Sequence, residues 1–385
     1  MTRPPLSRRV SGLSALELAQ LLRTAQAVGA IDIALGIPPG TPPSAAVAGA
    51  VEALRSGHHQ YSDPAGLLAL REQVAADLLA TRGAQVDPES EITITCGATE
   101  GTMMALLAVT DPGDEVILLD PAFETYFGTV ELCGAVARRV ALRNPGWRLD
   151  IAALRAAISP RTRAIVVNTP HNPTGRSFDA TELNAIIGLC CEYGLTCITD
   201  EVYERFIYDG RPHVSPLTLP GASAHSIVLG SLSKTLSMSG WRIGYCLADP
   251  EVTAALRKVH QRTTIGASTP LQHGAAASTA SWWNDVDEVK QFQHRRDEMA
   301  NSLDQMGFEV SVPEGGWFIL AGTEGLGVPS DELAARLVTS AGVLVAPGTA
   351  FFAERAEGRR WIRTTFVRDH ELTVEALERM RKLLG

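Results

Sequence analysis

The chain has 385 residues, with 34 Lys and Arg against 43 Asp and Glu, so its formal net charge is −9. Hydrophobic residues make up 45% and charged residues 20%, a mixture typical of chains that bury a large core, which excludes wholesale disorder. The acidic balance argues against a nucleic-acid-binding surface, and no run of about 18 apolar residues predicts a membrane-spanning helix.

Residues 1–45 predict an N-terminal arm. A helix is predicted over 14–28, because the leucines and alanines of this segment recur at helical spacing. Residues 36–43 are rich in Gly and Pro, which predicts turns. Residues 1–9 are basic, but no apolar run follows them, so we expect no secretory signal.

Residues 46–282 predict a large α/β domain. Six short apolar runs are predicted to be strands, at 92–96, 115–119, 136–142, 163–167, 195–199 and 226–230. Segments of helical length, among them 100–109, 125–133 and 181–193, separate these runs. Strands that are apolar throughout and alternate with helices are typical of a parallel sheet covered on both faces.

Residues 283–385 have a different pattern. A long polar helix over 286–306 precedes mixed strands, and a last helix is predicted over 371–384. We expect this part and the N-terminal arm to form a smaller α+β domain beside the large sheet. The pair Arg295-Arg296, followed by two acidic residues, predicts a solvated face of the polar helix.

The six cysteines give no sign of a metal or redox site. Cys190 and Cys191 are adjacent, Cys197 lies in an apolar run, and the sequence contains no C-x-x-C pair. Six cysteines are also too few for a disulfide scaffold in a chain of this length. We therefore expect buried, reduced thiols in a cytoplasmic protein.

Polar residues follow the predicted strands where each one ends. These segments are 97–101, which is glycine-rich, 120–126, 168–175, 200–203 and 231–234, and Gly240-Trp241-Arg242 lies shortly beyond. Open α/β sheets bind ligands at the carboxyl ends of their strands, and a helix start with glycine suits a phosphate. The residues therefore predict a site for an anionic, aromatic ligand that reacts with an amine.

Several of these motifs together resemble a known family. They are Asn172-Pro173-Thr174-Gly175, Ser231-Leu232-Ser233-Lys234 with Arg242 eight residues later, Asp200 with Tyr203, and the segment 61–66. Over about residues 30 to 370, the chain resembles the class I/II aminotransferases, pyridoxal 5′-phosphate enzymes of the aspartate-aminotransferase fold. The likeness is greatest to the kynurenine, aromatic and methionine aminotransferases. It implies a mostly parallel, seven-stranded sheet between helices, a smaller α+β domain, and a homodimer.

The resemblance implies roles for the residues that hold the cofactor ring. Lys234 is implied to bind pyridoxal phosphate covalently and to move a proton at the substrate Cα, which requires an unprotonated amine. Asp200 is implied to pair with the pyridine nitrogen, and so to keep the ring an electron sink. Tyr203 and Asn172 are implied to bind the 3′-oxygen, and Phe123 to stack on the ring.

The resemblance also implies which residues bind the phosphate and the substrate. The phosphate-binding residues are implied to be Ala98, Thr99, Ser231, Ser233 and Arg242, together with Tyr61 from the neighbouring subunit. Arg363 is implied to bind the substrate carboxylate, because a guanidinium fork matches a planar carboxylate. Gly36, Ile37 and Asn172 are implied to lie against the substrate. Pro39-Gly40 replaces the acidic residue that the family often has there.

The activity predicted is a ping-pong transfer of an amino group from an L-α-amino acid to a 2-oxo acid. The same residues also support β-elimination, decarboxylation or oxidation, because the outcome depends on which Cα bond is activated. A cofactor-binding module of a transcriptional regulator is disfavoured, since only 35 residues precede Gly36 and the chain is acidic.

Overall fold

A computed structural model of the chain describes residues 6–11, 13, 17–37, 39–278 and 286–385. The predicted helix over 14–28 is present as Glu17–Val28, and its first three residues lie outside the described part. Most of the basic N-terminal stretch, Pro38 of the turn-rich segment and the predicted domain boundary at residue 282 also lie outside it.

Strands and helices are numbered here along the chain. The strands are β1 (Ile31–Asp32), β2 (Ile92–Thr95), β3 (Glu115–Asp120), β4 (Val136–Ala141), β5 (Thr162–Asn168), β6 (Thr196–Asp200), β7 (Ser226–Ser231), β8 (Gly244–Ala248), β9 (Glu309–Val310), β10 (Phe318–Gly322), β11 (Val343–Leu344), β12 (Ala346–Pro347) and β13 (Trp361–Thr365). The helices are α1 (Arg8–Ser11), α2 (Glu17–Val28), α3 (Ser44–Arg55), α4 (Leu68–Arg82), α5 (Gly97–Val109), α6 (Thr125–Leu132), α7 (Ile151–Ala157), α8 (Ala180–Tyr193), α9 (Leu232–Thr235), α10 (Pro250–Thr263), α11 (Thr269–Ala277), α12 (Val286–Gln305), α13 (Ser330–Arg336), α14 (Arg355–Gly358) and α15 (His370–Leu384).

The large sheet has seven strands in the order β2-β8-β7-β6-β5-β3-β4. The strands from β4 to β7 pair in parallel, and β8 runs antiparallel to both β2 and β7. The α/β architecture with a mostly parallel sheet is therefore confirmed. The six apolar runs did not include β8, which begins with Gly244 and Tyr245 and so lacks the β-branched signal of the other strands.

Apart from the edge strand β4, which is largely exposed, both faces of this sheet are buried, and this explains why its strands are continuous apolar runs in the sequence. Along β3, Ile117 and Leu119 enter one core cluster, with side chains of α8. Val116 and Leu118 enter another cluster, with side chains of α5. Adjacent residues of a strand point to opposite faces, so helices must cover each face. The start of α8 is fixed locally by a capping box between Asp179 and Glu182.

A smaller antiparallel sheet, in the order β12-β13-β10-β9, lies in the C-terminal part of the chain. The N-terminal arm joins this part, because β1 pairs in parallel with β11 through Ile31 and Val343. Ile33, Ile319 and residues of α12 and α15 share one core cluster. The smaller domain predicted beside the large sheet is thus present, whereas its exact limits at residues 45 and 282 stay a prediction.

Two further expectations concern the surface and the cysteines. Within the described ranges, no helix combines the length and the apolar character that crossing a membrane requires. The six cysteines are free thiols, as expected. They are not all buried, however: Cys191 is exposed and Cys96 is half-buried, because both lie at the margins of helices rather than in the sheet.

Candidate active site

A cavity of about 420 Å³ opens where the parallel strands of the large sheet end. Residues after β2, β3 and β5, and at the ends of β6 and β7, line it, and the arm and β13 supply the opposite wall. The predicted site residues on its surface are Gly36, Ile37, Ala98, Thr99, Phe123, Asn172, Asp200, Tyr203, Ser231, Ser233, Lys234, Arg242 and Arg363. Of the predicted set, Tyr61 alone does not line it.

Lys234 lies on the short helix α9, which begins where the Ser231 hydroxyl accepts a hydrogen bond from the Ser233 amide. Its Nζ donates a hydrogen bond of 3.2 Å to the Gly36 carbonyl and lies 5.1 Å from the centre of the Trp317 ring. Burial, assisted by the nearby cations Arg242 and Arg363, lowers the pKa of Lys234 to about 8. Roughly a tenth of these amines are then unprotonated at neutral pH, against far fewer for an ordinary lysine.

Asp200 is the last residue of β6 and is 6% exposed. Its Oδ2 accepts a hydrogen bond of 2.5 Å from the Tyr126 hydroxyl, and its Oδ1 accepts one of 3.3 Å from the Val202 amide. Burial raises the pKa of Asp200, while the bond from Tyr126 and the charge of Lys234 oppose that rise. A carboxylate in such surroundings is best stabilised by a cation inside the cavity.

Two asparagines connect the ends of β5 and β6. The side-chain amide of Asn168 donates to the carbonyl of Asp200 at 2.9 Å, and its Oδ1 accepts from the Asn172 amide at 2.7 Å. The turn that carries Asn172 is therefore held in register with the strand that carries Asp200. Asn168 opens the segment singled out at the end of β5, but its role in fixing this turn was not predicted.

Arg363 lies on β13 and is 3% exposed. Its Nη1 donates to Asn172 Oδ1 at 2.9 Å and its Nη2 to the Ala34 carbonyl at 2.8 Å. The guanidinium carbon lies 4.0 Å and 4.3 Å from the centres of the Phe318 and Phe351 rings. Burial lowers the pKa of Arg363 to about 10. Its buried Nε has no hydrogen-bond partner among the described residues, so a donor remains for a ligand.

At the other end of the cavity, three groups suit an anion. Gly97 begins α5 with φ +78°, and a Cβ there would collide with the guanidinium of Arg242. Arg242 adopts the left-handed conformation with φ 56° and donates to the Ser239 carbonyl at 3.0 Å. The buried hydroxyl of Ser233 has no hydrogen-bond partner in the part of the chain that the structure describes. A helix start, a guanidinium and an unpaired hydroxyl together form a cradle for a phosphate.

Two predicted aromatic residues complete the cavity walls. Tyr203 is buried, with its ring centre 5.4 Å from that of Trp317, and burial raises the pKa of its hydroxyl. Phe123 packs edge-to-face on Tyr126 with ring centres 5.6 Å apart. Tyr61 differs from both, because it is 79% exposed and therefore is not a packing residue of its own chain.

Tyr126, Glu124 and Phe318 also line the cavity, but the sequence motifs assigned no role to them. Glu124 and Tyr126 lie in the segment 120–126 that follows β3, whereas Phe318 lies outside every segment singled out. Tyr126 lies in the first turn of α6, and its contact with Asp200 joins residues that are 74 positions apart in the sequence. Phe318 belongs to β10 of the small sheet, and only the tertiary fold brings it to Arg363.

The sequence model described as "Aminotransferase class I and II" matches residues 29–380 of the chain. The chain belongs to this family. This aminotransferase is 33% identical over 380 residues to a probable N-succinyldiaminopimelate aminotransferase of Mycobacterium tuberculosis, with 95% of each chain covered. It is 31% identical to the methionine aminotransferase of Escherichia coli, over the full length of both chains. The solved structure of the N-succinyldiaminopimelate aminotransferase from Mycobacterium tuberculosis superposes with a TM-score of 0.93, at 31% identity, covering 98% of this chain and 100% of that one.

Pyridoxal phosphate is the cofactor of this aminotransferase, as it is of the family. The cavity fits that group on its own chemistry. It combines a buried amine of lowered pKa, a buried carboxylate, and an unpaired Ser233 hydroxyl beside the start of a helix. These features match an aldehyde, a ring nitrogen and a phosphate, respectively.

Proposed function

We propose that this aminotransferase moves the amino group of an L-α-amino acid to a 2-oxo acid in a ping-pong cycle within this cavity. The observation that carries the proposal is the meeting of Lys234, Asp200 and Arg363 on one cavity surface. One amine, one carboxylate and one guanidinium are the minimum set for cofactor attachment, ring protonation and carboxylate binding.

The bound cofactor would supply an electron-withdrawing ring that acidifies the bonds at the substrate Cα. In the proposal, Lys234 holds it covalently and then carries the proton at Cα, while Asp200 keeps the ring nitrogen charged. Tyr203 and Asn172 donate to the 3′-oxygen, and Phe123 stacks on the ring. The phosphate is held by Ala98, Thr99, Ser231, Ser233 and Arg242.

Arg363 orients the substrate in this proposal. Its free Nε and its two η nitrogens can grip both oxygens of an α-carboxylate, which fixes the Cα against the base. Gly36 and Ile37 contribute backbone to the same wall, and a side chain at residue 36 would collide with the Phe318 ring. Removal of the guanidinium should therefore raise KM for every amino donor.

The assignment of Lys234 is tested by mixing the protein with pyridoxal phosphate. We expect the visible absorption of a lysine-bound cofactor in the wild type and in Lys258→Ala, a control at an exposed lysine of α10. Lys234→Ala should abolish that absorption. An unchanged absorption band in Lys234→Ala contradicts the assignment.

We also propose that the enzyme is a homodimer in which Tyr61 reaches the phosphate of the partner subunit's cavity. The exposed side chains of Val47, Val51 and Leu54 support this, because they form an apolar stripe on α3, three and four residues apart. Val51→Glu should be a monomer, as measured by light scattering, and it should bind the cofactor more weakly, as measured by equilibrium dialysis. Val312→Glu, at another exposed valine, should remain a dimer. A monomeric wild type would contradict the proposal.

A lyase, decarboxylase or oxidase on the same scaffold is distinguished by its products. Neither relative described above is named for such a reaction. Elimination would release ammonia and a 2-oxo acid from the amino donor alone, with no 2-oxo acid needed as acceptor. Decarboxylation would release carbon dioxide, and oxidation would consume oxygen. We expect a panel of amino acids to give products only when a 2-oxo acid is present.

The apolar wall of Leu18, Leu35 and Val202 supports donors with an apolar or aromatic side-chain stem. The cytoplasmic location stays a prediction.

A further inference from the structure

One charged side chain on the cavity surface has no part in the proposed reaction. Among the described residues, the charged groups that line the cavity are Glu124, Asp200, Lys234, Arg242 and Arg363. The last four serve the ring, the amine, the phosphate and the substrate carboxylate in the proposal above. Glu124 is the remaining charged group. Its side chain is half-buried, and partial burial of a carboxylate costs free energy unless a cation or a hydrogen-bond donor compensates its charge.

Glu124 has no partner in the part of the chain that the structure describes. It occupies the residue before α6, where an acidic side chain could accept hydrogen bonds from the first amides of the helix, but it makes no such bond. No hydrogen bond or ion pair forms between its carboxylate and the described residues. Burial is the main cause that raises the pKa of this carboxyl, and the charge of Arg363 partly opposes the rise.

Arg363 provides the positive charge that compensates the Glu124 carboxylate. Among the residues that the structure describes, Arg363 is the cation whose charge lowers the pKa of this carboxyl. The second carboxylate nearby, Glu17, adds repulsion, and Glu17 itself pairs with Arg355 at 3.3 Å. Once a substrate α-carboxylate occupies Arg363, the charge that compensated Glu124 is engaged elsewhere. A substrate with a positive side-chain end would restore the balance, and one with a side-chain carboxylate would add a third negative charge.

We propose that Glu124 is a specificity-determining residue that favours amino donors with a cationic side-chain end and disfavours those with a carboxylate end. This inference rests on the proposed function, because it takes Arg363 as the site of the α-carboxylate. The apolar wall of Leu18, Leu35 and Val202 would then cover the methylene stem, and Glu124 would face the terminal charge.

A structural role for Glu124 makes a different prediction. A carboxylate before the first turn of a helix interacts favourably with the helix dipole whether or not it forms a hydrogen bond. If that were its only role, removal of the charge would lower stability and would affect all substrates equally. The two roles are separated by the ratio of affinities for ligands that differ only at the side-chain end.

The test uses the holoenzyme and three 2-methyl amino acids, which lack the Cα hydrogen and therefore bind without completing transamination. They are 2-methylornithine, 2-methylnorvaline and 2-methylglutamate, with a cationic, a neutral and an anionic end. Calorimetric titration of the wild type should give affinities in that order. Glu124→Gln should lower the ratio of the ornithine to the glutamate analogue by about tenfold. Glu131→Gln, at an exposed glutamate of the same helix, should leave it unchanged.

The charge-reversal variant Glu124→Lys is a second test of the inference, because it should bind 2-methylglutamate more tightly than 2-methylornithine. A wild type that prefers 2-methylglutamate, or a Glu124→Gln variant that weakens all three ligands equally, overturns the inference. Since these ligands have no Cα hydrogen to lose, their affinities do not depend on amino transfer. A failure of transamination in a separate assay would therefore count against the proposed function and would leave these affinity ratios intact.

Discussion

The functional side chains of this aminotransferase owe their chemistry to burial more than to residue type. Lys234 is an ordinary amine until burial and two neighbouring guanidinium groups lower its pKa. Burial has the opposite effect on the pKa of Asp200: it raises that pKa, because it disfavours the charged carboxylate. The hydrogen bond from the Tyr126 hydroxyl partly lowers the pKa again. Sequence motifs identified both residues by their resemblance. They did not identify Tyr126, since nothing in a sequence states which hydroxyl lies 2.5 Å from a given carboxylate.

The lowered pKa of Lys234 predicts the pH dependence of cofactor attachment. Only the unprotonated amine attacks an aldehyde, so the attachment rate of the cofactor-free protein should rise with pH and level off above about 8. An ordinary lysine would give a rate that still rises near pH 10. Stopped-flow absorbance between pH 6 and about 10 measures this. A rate that rises without levelling off up to the highest pH measured contradicts the lowered pKa.

Removal of the Tyr126 hydroxyl predicts a shift in the acid limb of activity. The hydrogen bond from Tyr126 lowers the pKa of Asp200, so Tyr126→Phe should raise that pKa and move the acid limb of kcat to higher pH. A hydrogen bond to a charged group contributes about 1.5–3 kcal/mol, so kcat should fall at least tenfold at neutral pH. Tyr193→Phe, on the exposed end of α8, should change neither quantity. An unshifted acid limb would refute the role of Tyr126.

At the scale of elements, the start of α5 is held by side chains rather than by its own backbone. Glu100 reaches back to accept a hydrogen bond from the Cys96 amide at 2.6 Å, and the Nδ1 of the fully buried His260 lies 2.9 Å from its other oxygen. Thr264 also donates to Glu100. The turn that presents Ala98 and Thr99 is thus fixed from the C-terminal end of α10, about 160 residues away, and no local pattern connects the two elements.

We expect Glu100→Gln to weaken the phosphate cradle selectively. The amide side chain cannot accept from the Cys96 amide and from His260 as strongly as a carboxylate, so the turn before α5 loosens. The dissociation constant of pyridoxal phosphate should rise about tenfold, whereas that of pyridoxal, which lacks the phosphate, should not change. Equilibrium dialysis measures both, and Glu91→Gln, outside the helix, is the control. Equal weakening of the two ligands would contradict this role of Glu100.

The strands and helices could be predicted from the sequence where one local pattern, such as an apolar run, determines the structure. The apolar runs predicted β2 to β7 to within one or two residues, because both faces of the sheet exclude water along these strands except at the exposed edge strand β4. The prediction of a solvated face at Arg295-Arg296 is wrong for Arg296, which is 3% exposed and pairs with Asp209. Its partner comes from a loop 87 residues away, and helical charge patterns carry no information about such distant contacts.

At the scale of the whole molecule, the cavity lies between parts of the chain that are far apart in sequence. The large sheet supplies the groups for the cofactor, while Gly36 and Arg363 come from the N-terminal arm and the small sheet. The core that joins arm and small sheet includes Ile33, Ile319 and Trp317. The sequence placed these segments in one smaller domain, but it could not show that the domain forms part of the cavity wall.

Because of this arrangement, damage to the small-sheet core should reduce both stability and substrate binding. Ile319 is fully buried on β10, so Ile319→Ala should lower the free energy of unfolding by about 2–5 kcal/mol. It should also raise KM for amino donors more than it lowers cofactor affinity. Val312→Ala, at an exposed residue, should change stability by less than about 0.5 kcal/mol. Urea unfolding measures the stability of each variant, and steady-state kinetics measures its KM. A larger loss of cofactor affinity than of substrate affinity would refute the assignment of the small sheet to substrate binding.

The hydrogen bond from the Lys234 amine to the Gly36 carbonyl has one more consequence. A nitrogen that joins an aldehyde carbon gives up hydrogens, so it can no longer serve this acceptor as the free amine does. Lys234 therefore restrains the segment that follows β1 while its amine is free, and attachment of the cofactor would weaken that restraint. Loading of the enzyme would thus remove one direct contact between the N-terminal arm, which carries Gly36, and α9 of the large domain, which carries Lys234.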